Sequence, residues 1–584
     1  MHIPKRWTLL PYNQQMTDHL AKALNIPSAL AQLLINRGVA QPADAQIFLN
    51  AKLSGLHDPA LLPGICDAAE RIHHTAQNKK RICIYGDYDV DGITASTILW
   101  RCLQMAGADV DYYVPDRLEE GYGLNSEALR KLKDQNIQTV VTVDCGITSV
   151  EQAQVARELG MELIITDHHE MKDELPDATV LVHPRLPGST YPFPHLCGAG
   201  VAFKLAWAIA QKFSQAQKVS DHFKNYLVEC VALVALGTVA DVVPLIGENR
   251  IFVTQGLKGL QSAPSIGLKA LLQAAELGEK ELNAGHIGFT LAPRLNAAGR
   301  LGQARLAIEL LATANQTRAV DLARYLNEQN EKRQTVERRI ASQAKEMVEA
   351  STELSDAPAL VLCSDEWHPG VIGIVASRLV EKYARPVLII STQEGVGSGS
   401  GRSIDGFPLH EALAECSQHL ISHGGHAAAA GFKVAKEQIE TLREAFVQCA
   451  ARKLNGKTLQ HTLKLDAEIP LSALSHGLMK GINALEPHGS GNRRPLFLAS
   501  ELQLIDEPRK VGKGEHHLSF KVKQGNGKTA KAIAWGMADR LEELKSGGGK
   551  CCLAFTPKTN EWNGYTNIDM EVVDFQPGPI AKLD

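Results

Sequence analysis

From Arg81 to Asp167 short apolar runs alternate with amphipathic segments, a pattern that confines this part of the chain to a parallel sheet wrapped by helices. Arg81–Tyr85 (RICIY), Val110–Val114, Thr139–Val143 and Leu163–Thr166 read as strands, and Ile93–Ala106 reads as a helix. The core strands run into acidic or histidine residues. In an open parallel sheet, ligands bind in the crevice at the carboxyl ends of the strands, so polar residues placed there already predict a site.

Asp87, Asp89 and Asp91 alternate in DYDVDG directly after the first strand. Three carboxylates this close repel one another unless a cation neutralises them. The run opens like an EF-hand loop, but its twelfth position is Ile98 where a bidentate Glu belongs, and a strand precedes it. Taken alone, a solvated acidic turn without a ligand is its lesser reading. Two further strand ends weigh against that: VDCG supplies Asp144, and TDHH supplies Asp167, His168 and His169. Singly, Asp144 reads as a helix N-cap and His168 as a satisfied core histidine; their joint placement at one edge favours ligation. Asp241 lies in VALVALGTVADVVPL, where burying an acid is costly unless it is paired, hydrogen-bonded or bound to metal. Carboxylates and imidazole without a thiolate pattern predict Mg²⁺ or Mn²⁺ rather than Zn²⁺, with ligands enough for two ions. Two such ions suit phosphoryl chemistry, activating water and stabilising the attacking and leaving oxygens.

A chain of 584 residues predicts about four domains. Between Gly302 and Pro358 there is no Gly or Pro, and Gln316–Ala350 reads as one helix of about 50 Å, a connector between two lobes. A short coiled-coil dimer is the other reading, although the apolar positions keep no strict heptad. After Pro358 a second α/β segment begins, carrying the glycine-rich GVGSGSGRS and HGGHAAAAGF. From about His461 the chain turns to short β-like runs (HLSFKV, KAIAW, CCLAF), the pattern of a small β-barrel. The expected division is a structural N-terminal cap over 1–50, the parallel-sheet domain over 51–250, a helical region with the connector over 251–350, the second α/β domain over 351–455, and the barrel over 456–584. The fold class is therefore α/β and multidomain.

Net charge is -4, so any nucleic-acid surface must be local. Arg509 to Lys531 holds Arg509, Lys510, Lys513, Lys521, Lys523, Lys528 and Lys531 against the single acid Glu515. With Phe520 inside this run and Trp535 close behind, it suits a surface that tracks a nucleic-acid backbone by charge and stacks on bases. A lysine-rich sheet edge is the bland alternative. Eleven cysteines without a Cys-x-x-Cys pair suit a reducing cytoplasm. The N-terminus, MHIPKRWTLLPYN, has no signal-peptide apolar stretch, and the longest apolar run, Val228–Val243, is shorter than a membrane span of about 20 residues. A soluble cytoplasmic protein without a membrane partner is expected.

DYDVDG, VDCG and TDHH resemble the DHH phosphoesterases, named for the motif that stands here as Asp167-His168-His169. With HLCGAGVAFK, GTVADVVPL, APRLNAAGR, GSGSGRS, GGHAAAAGF and LEPHGSGNRRPLF, the chain is similar over nearly its whole length to the bacterial single-strand-specific exonucleases of the DHH/DHHA1 family. The resemblance implies a DHH domain, a DHHA1 domain and a C-terminal OB-fold-like barrel. It implies a 5′→3′ exonuclease that releases 5′ mononucleotides from single-stranded DNA in repair and recombination, using Mg²⁺ or Mn²⁺. Asp89 would ligate the first metal and Asp91 the second, Asp144 would bridge both, and His168 and Asp241 would complete the second site. Asp87 would contribute as a ligand or as a support to one. His169 would contact the scissile phosphate, and Asp167 would orient the histidines. Where related phosphatases carry a histidine four residues before the first aspartate of their motif, this chain has Tyr85, which puts the first metal's ligand set in question. Arg117, Ser400 and Arg402 would hold the 5′-phosphate end, with His426 as a further phosphate-compatible side chain and backbone N–H groups from the glycine-rich loop. Arg294, Asn296 and Arg300 are candidates to line the cleft. Single-stranded-DNA-binding protein and a RecQ-type helicase are the implied partners of a monomer. Two rivals stay open: a small-substrate DHH phosphoesterase, whose activity would survive deletion of 458–584, and a non-catalytic single-strand-binding scaffold, which would not bind Mn²⁺.

Overall fold

A computed structural model describes residues 4–116, 120–121, 123–215, 218–262, 264–300, 303–393, 395–455, 460–562 and 565–583, apart from the side chains of Arg300, Gln393, Trp562 and Tyr565. The predicted alternation becomes a five-stranded, all-parallel sheet in the order Val110–Tyr113, Arg81–Gly86, Ile137–Val143, Glu162–Thr166, Val180–Val182. Successive side chains of a strand leave by opposite faces, and both faces are covered. Ile82, Ile84, Val141 and Val143 join the helical core on one side; Cys83, Tyr85, Val140 and Leu163 join a smaller core on the other. Because Arg81–Gly86 is flanked by strands that the chain reaches in opposite directions, a topological switch point opens between it and Ile137–Val143. Asp87 and Asp89 follow the first of these strands, and Asp144 follows the second.

The helix Asp221–Ala240 is longer than the apolar run suggests, and by length and composition it is apolar enough to cross a membrane. However, 67% of its most apolar window is buried inside the protein, against the helices Val90–Met105, Gly198–Phe213 and Gly247–Ser262. It is a core helix.

The connector helix runs from Gln316 to Ala350, with Asn315 capping its first turn by accepting from the Arg318 N–H. Its two apolar patches have different partners. Ala319, Leu322, Ala323 and Leu326 belong to the core of the first domain, whereas Ile340, Ala344 and Val348 pack with Trp367, Ile372 and Val375 of the second. Each patch that a coiled coil would need is already buried within the chain.

The second domain is a five-stranded mixed sheet ordered Ser422–Gly425, Ala429–Ala435, Val396–Arg402, Val387–Gln393, Leu360–Ser364, in which only the last two strands pair in parallel. The C-terminal domain is a seven-stranded sheet in which Phe497–Leu504 pairs with both Lys550–Trp562 and His517–Gln524. The N-terminal residues join this distant part of the chain. Arg6–Leu9 pairs in parallel with Thr462–Leu465, and Leu20, Leu30, Leu33, Leu34 and Phe48 share one core with Leu478, Phe497 and Phe555. One expectation fails here: Phe520 is buried in that core, because Leu518, Phe520 and Val522 are the inward positions of their strand. It presents no face to a base.

Candidate metal centre

The acidic loop after Arg81–Gly86 turns directly into the helix Val90–Met105, and Asp89 is its N-cap, accepting from the N–H groups of Asp91 and Gly92 at 2.9 and 3.1 Å. Asp91, one turn in, caps a second helix: its Oδ2 accepts the Gly198 N–H at 2.6 Å and its Oδ1 the Ala199 N–H at 2.8 Å. The buried acid is thus held by the positive end of the helix Gly198–Phe213. Asp144 sits in left-handed backbone with φ 63° and is buried, its N–H bonded to the Thr166 carbonyl. Asp241 terminates the long apolar helix Asp221–Ala240.

These segments bring seven of the predicted residues to one place. Asp87, Asp89 and Asp144 form one group of mutually close ligand atoms, Asp91, His168 and Asp241 form a second, and Asp144, His168 and His169 form a third. His168 Nε2 lies 3.1 Å from Asp144 Oδ1, 3.5 Å from Asp241 Oδ2 and 3.7 Å from Asp91 Oδ2. The mutual repulsion is visible in the ionisation. Burial, then Asp91, Asp89, Asp241 and Asp87, raise Asp144 far above the usual carboxylate range, while burial with Asp91 and Asp89 pushes Asp241 up to about 8. Burial also lowers His168 to about 4, so its imidazole is uncharged at neutral pH. Asp144 Oδ1 and His168 Nε2 are buried without any hydrogen-bond partner although they face each other. A divalent cation is the group that satisfies both. The donor set is oxygen with imidazole, and the buried cysteine Cys145 beside it has its thiol raised well above the ordinary value by burial, so it stays protonated; the residues fit Mg²⁺ or Mn²⁺.

The third residue of the motif behaves differently. Asp167 Oδ2 accepts the Ile147 N–H at 2.9 Å, and its Oδ1 accepts the backbone N–H of His168 at 2.7 Å and bonds His169 Nδ1 at 2.7 Å. Although burial opposes it, these bonds keep Asp167 ionised and raise His169 to about 9. His169 therefore stands at the edge of the cluster as a cation. Sequence reading missed the support beneath it: His183 Nε2 meets the His169 carbonyl at 2.8 Å, and Arg185 Nη2 donates to the His168 carbonyl at 2.6 Å. Both follow the fifth strand of the sheet, so the rule that strand ends carry the site would have found them. Tyr85 is no ligand; it is fully buried on the opposite face, stacked on Tyr113 and donating to the Gly123 carbonyl.

In the second domain, Ser400 and Arg402 meet the start of the helix Ile372–Tyr383. A Cβ on Gly373 would stand 2.9 Å from Ser400 Oγ and 3.1 Å from Arg402 Nη2, so both side chains lie close against that helix terminus. Hydroxyl, guanidinium and helix N-terminus are together groups that could hold an anion. His426, on an exposed turn, reaches across to Glu170, directly after His169, with 3.7 Å between Nδ1 and Oε2. Arg117 lies outside the described residues, as does the Arg300 side chain. Asn296 and Arg294 are engaged within the protein: Asn296 Oδ1 accepts the Val90 N–H at 3.1 Å, and Arg294 bonds Asn327 and the Thr290 carbonyl, facing the connector helix. In the C-terminal domain a polar groove of about 870 Å³ is lined by His476, Lys521, Lys528, Lys531, Asn560 and Asn567. Trp535 is 50% exposed nearby.

Three family models match: the DHH family, N-terminal domain, over residues 81–238, the DHHA1 domain over 356–452, and the RecJ OB domain over 465–574. The chain is 36% identical over 571 residues to the single-stranded-DNA-specific exonuclease RecJ of Bacillus subtilis, spanning 97% of this chain and 70% of that protein. It is 32% identical over 566 residues to the Escherichia coli protein of the same name, spanning 94% and 96%. The crystal structure of RecJ in complex with Mn²⁺ from Thermus thermophilus superimposes with a TM-score of 0.83 at 31% identity, covering 99% of this chain and 80% of that one. A second structure of that protein, in complex with Mg²⁺, gives 0.78.

Proposed function

The chain belongs to the RecJ family of single-stranded-DNA-specific exonucleases, and from that premise we propose that it removes 5′ mononucleotides from single-stranded DNA, working from the 5′ end. The observation that carries this reading is the pair of unpartnered atoms, Asp144 Oδ1 and His168 Nε2, inside a cluster of five carboxylates. Asp87, Asp89 and Asp144 would hold one divalent cation, and Asp91, Asp144, His168 and Asp241 the other. When bound, two such cations supply activation of water and neutralisation of charge on the attacking and leaving oxygens. The chain's own residues do the rest. Asp89 and Asp91, fixed as helix caps, set the spacing of the two clusters. His169, held protonated by Asp167, donates a charged hydrogen bond to the scissile phosphate. Ser400, Arg402 and the helix terminus at Ile372 take the 5′-phosphate, with Arg117 from the facing lobe, and so fix the polarity. The lysine groove of the C-terminal domain follows the downstream backbone.

We assign the N-terminal cap to residues 1–50 and the domains to 51–250, 251–350, 351–455 and 456–584. The protein acts as a cytoplasmic monomer in DNA repair and recombination, fed single strands by a RecQ-type helicase and recruited by single-stranded-DNA-binding protein. The test is digestion of a strand labelled at either end, with Mn²⁺ or Mg²⁺, by the native protein and by Asp144→Ala. Mononucleotides should leave from the 5′ end, duplex should survive, and the variant should be dead. Release from the 3′ end, or a strand bound and left uncut by both proteins, overturns the reading. Arg402→Ala tests the end pocket: unchanged degradation of 5′-phosphorylated strands removes that assignment.

A further inference from the structure

The chain segment Ala284–Arg300 is a helical rod with one wide π turn over Ile287–Leu291. It lies along the metal cluster. Near its start, a Cβ on Gly288 would meet Val239 at 3.6 Å, and Val239 is two residues before Asp241. Toward its end, Asn296 takes the Val90 N–H of the acidic loop, and Gly299 lies so close to the Tyr88 carbonyl that a Cβ there would clash. The rod therefore touches two of the three segments that deliver the carboxylates, the acidic loop and the end of the helix Asp221–Ala240. Phe289 lies within the π turn, next to Gly288 and seven residues before Asn296. It is 88% exposed, the most exposed of the large apolar side chains among the described residues. The residue after Asp241 is a second such case: Val242 is 67% exposed and has φ 60°, a left-handed conformation that a β-branched residue rarely adopts. Local backbone geometry thus carries two apolar side chains outward from the segments that meet at Gly288 and Val239. The π turn adds to this, since it widens the helix by one residue around Phe289, a distortion frequent at functional sites.

We propose that Phe289, with Val242 on the neighbouring segment, is a stacking platform for a nucleobase of the single strand lying in the cleft. The inference rests on the single-strand reading above and adds a contact to the base where the cluster and the Ser400 and Arg402 side chains address only phosphate. A ring face suits such a substrate because every base offers a π surface, so stacking holds the strand without selecting its sequence. It also favours a single strand, whose bases are free to stack on protein, over a duplex, whose bases are stacked on each other.

The experiment compares the wild-type protein, Phe289→Ala and Phe289→Tyr on a 5′-phosphorylated oligothymidylate and on a set of the same strand carrying one abasic site at successive positions from the 5′ end. For the wild type, an abasic site at one position should raise KM about tenfold with kcat unchanged. Phe289→Ala should raise KM on the intact strand by a similar factor and lose that position-specific penalty, while Phe289→Tyr keeps it. Because the side chain is exposed, the variants should melt with the wild type. A Phe289→Ala protein that retains the abasic penalty, or a wild type with none, overturns the platform while leaving the exonuclease reading intact. A wild type that cuts no single strand overturns both.

Discussion

Gly198→Ala perturbs the cluster without removing a single ligand. Gly198 opens the helix Gly198–Phe213 and donates its N–H to Asp91, and the space where its side chain would be is filled by Asp144. An added Cβ would stand 2.6 Å from Asp144 Cβ and Oδ1, whereas ordinary contact begins near 3.4 Å, so 3.4 − 2.6 = 0.8 Å must be found. Asp144 is poorly able to yield: it is 2% exposed, and its φ of 63° and its bond to Thr166 fix its backbone. The helix cannot withdraw without uncapping from Asp91. One methyl group therefore shifts the carboxylate shared by two of the ligand groups. A misplacement of roughly 1 Å costs about 10²-fold in rate, or about 2.7 kcal/mol in the barrier, while overpacking costs about 1–3 kcal/mol of stability. Titration calorimetry with Mn²⁺ and steady-state digestion read the two effects, with circular dichroism to show that the fold persists. Mn²⁺ binding should weaken and kcat should fall about a hundredfold, with KM for the strand unchanged because Ser400 and Arg402 are on the other lobe. A folded variant with the wild-type Mn²⁺ isotherm and the wild-type kcat refutes the reasoning.

Three further outcomes are expected. Chelation should lower the melting temperature and Mn²⁺ should raise it, by the equivalent of about 2.7 kcal/mol at a hundredfold excess over Kd; because burial and then like charges raise Asp144, metal-free Asp144→Asn should melt no lower than the metal-free wild type and should gain less from Mn²⁺. If Mn²⁺ leaves the native melt unmoved, the cluster is no cation site. Burial, with Arg37, Arg494 and Arg250 around it, lowers His488 to about 4, so the unfolded chain takes up this proton first. The contribution is complete above pH 6.5 and is lost as pH falls from there toward 4, up to about 3 kcal/mol; chemical denaturation of His488→Gln should show a shallower acid limb, and an identical limb would count against it. Finally, Lys521→Ala with Lys531→Ala in the C-terminal groove should weaken single-strand binding irrespective of sequence and flatten its log–log salt dependence by about 0.7 per lost phosphate contact; an unchanged slope would take the strand off that groove.

The first domain was legible because a parallel sheet writes its function into strand ends: burial on both faces forces continuous apolar runs, and the residues that interrupt them must sit at the crevice. Asp87, Asp89, Asp91, Asp144 and His168 were singled out that way, and Asp241 as an acid costly to bury in an apolar stretch; the fold brings their ligand atoms close together. What stayed hidden depends on tertiary partners. Nothing in APRLNAAGR tells that Asn296 is occupied by the Val90 N–H or that Arg294 turns to Asn327. Phe520 was misread because a lysine-rich strand shows its charged face in composition, while its period-two inward face goes to the core. The union of the N-terminal strand with Thr462–Leu465 spans most of the chain and leaves no local trace.

The same logic explains why so many carboxylates can share one crevice before any cation arrives. Three of the acids are tethered by backbone N–H groups that sequence position provides: Asp89 by the first turn of the helix it caps, Asp91 by the start of Gly198–Phe213, Asp167 by Ile147 and by the histidines of its own motif. Helix termini supply partial positive charge at fixed points and so hold the geometry against repulsion. Asp144 is held differently. Its backbone is fixed, but its Oδ1 is buried without a hydrogen-bond partner, and burial with Asp91, Asp89, Asp241 and Asp87 raises its carboxyl well above the usual range. Two of the three ligand groups share this acid, so a cation bound there would satisfy an atom that the described protein groups leave unpaired.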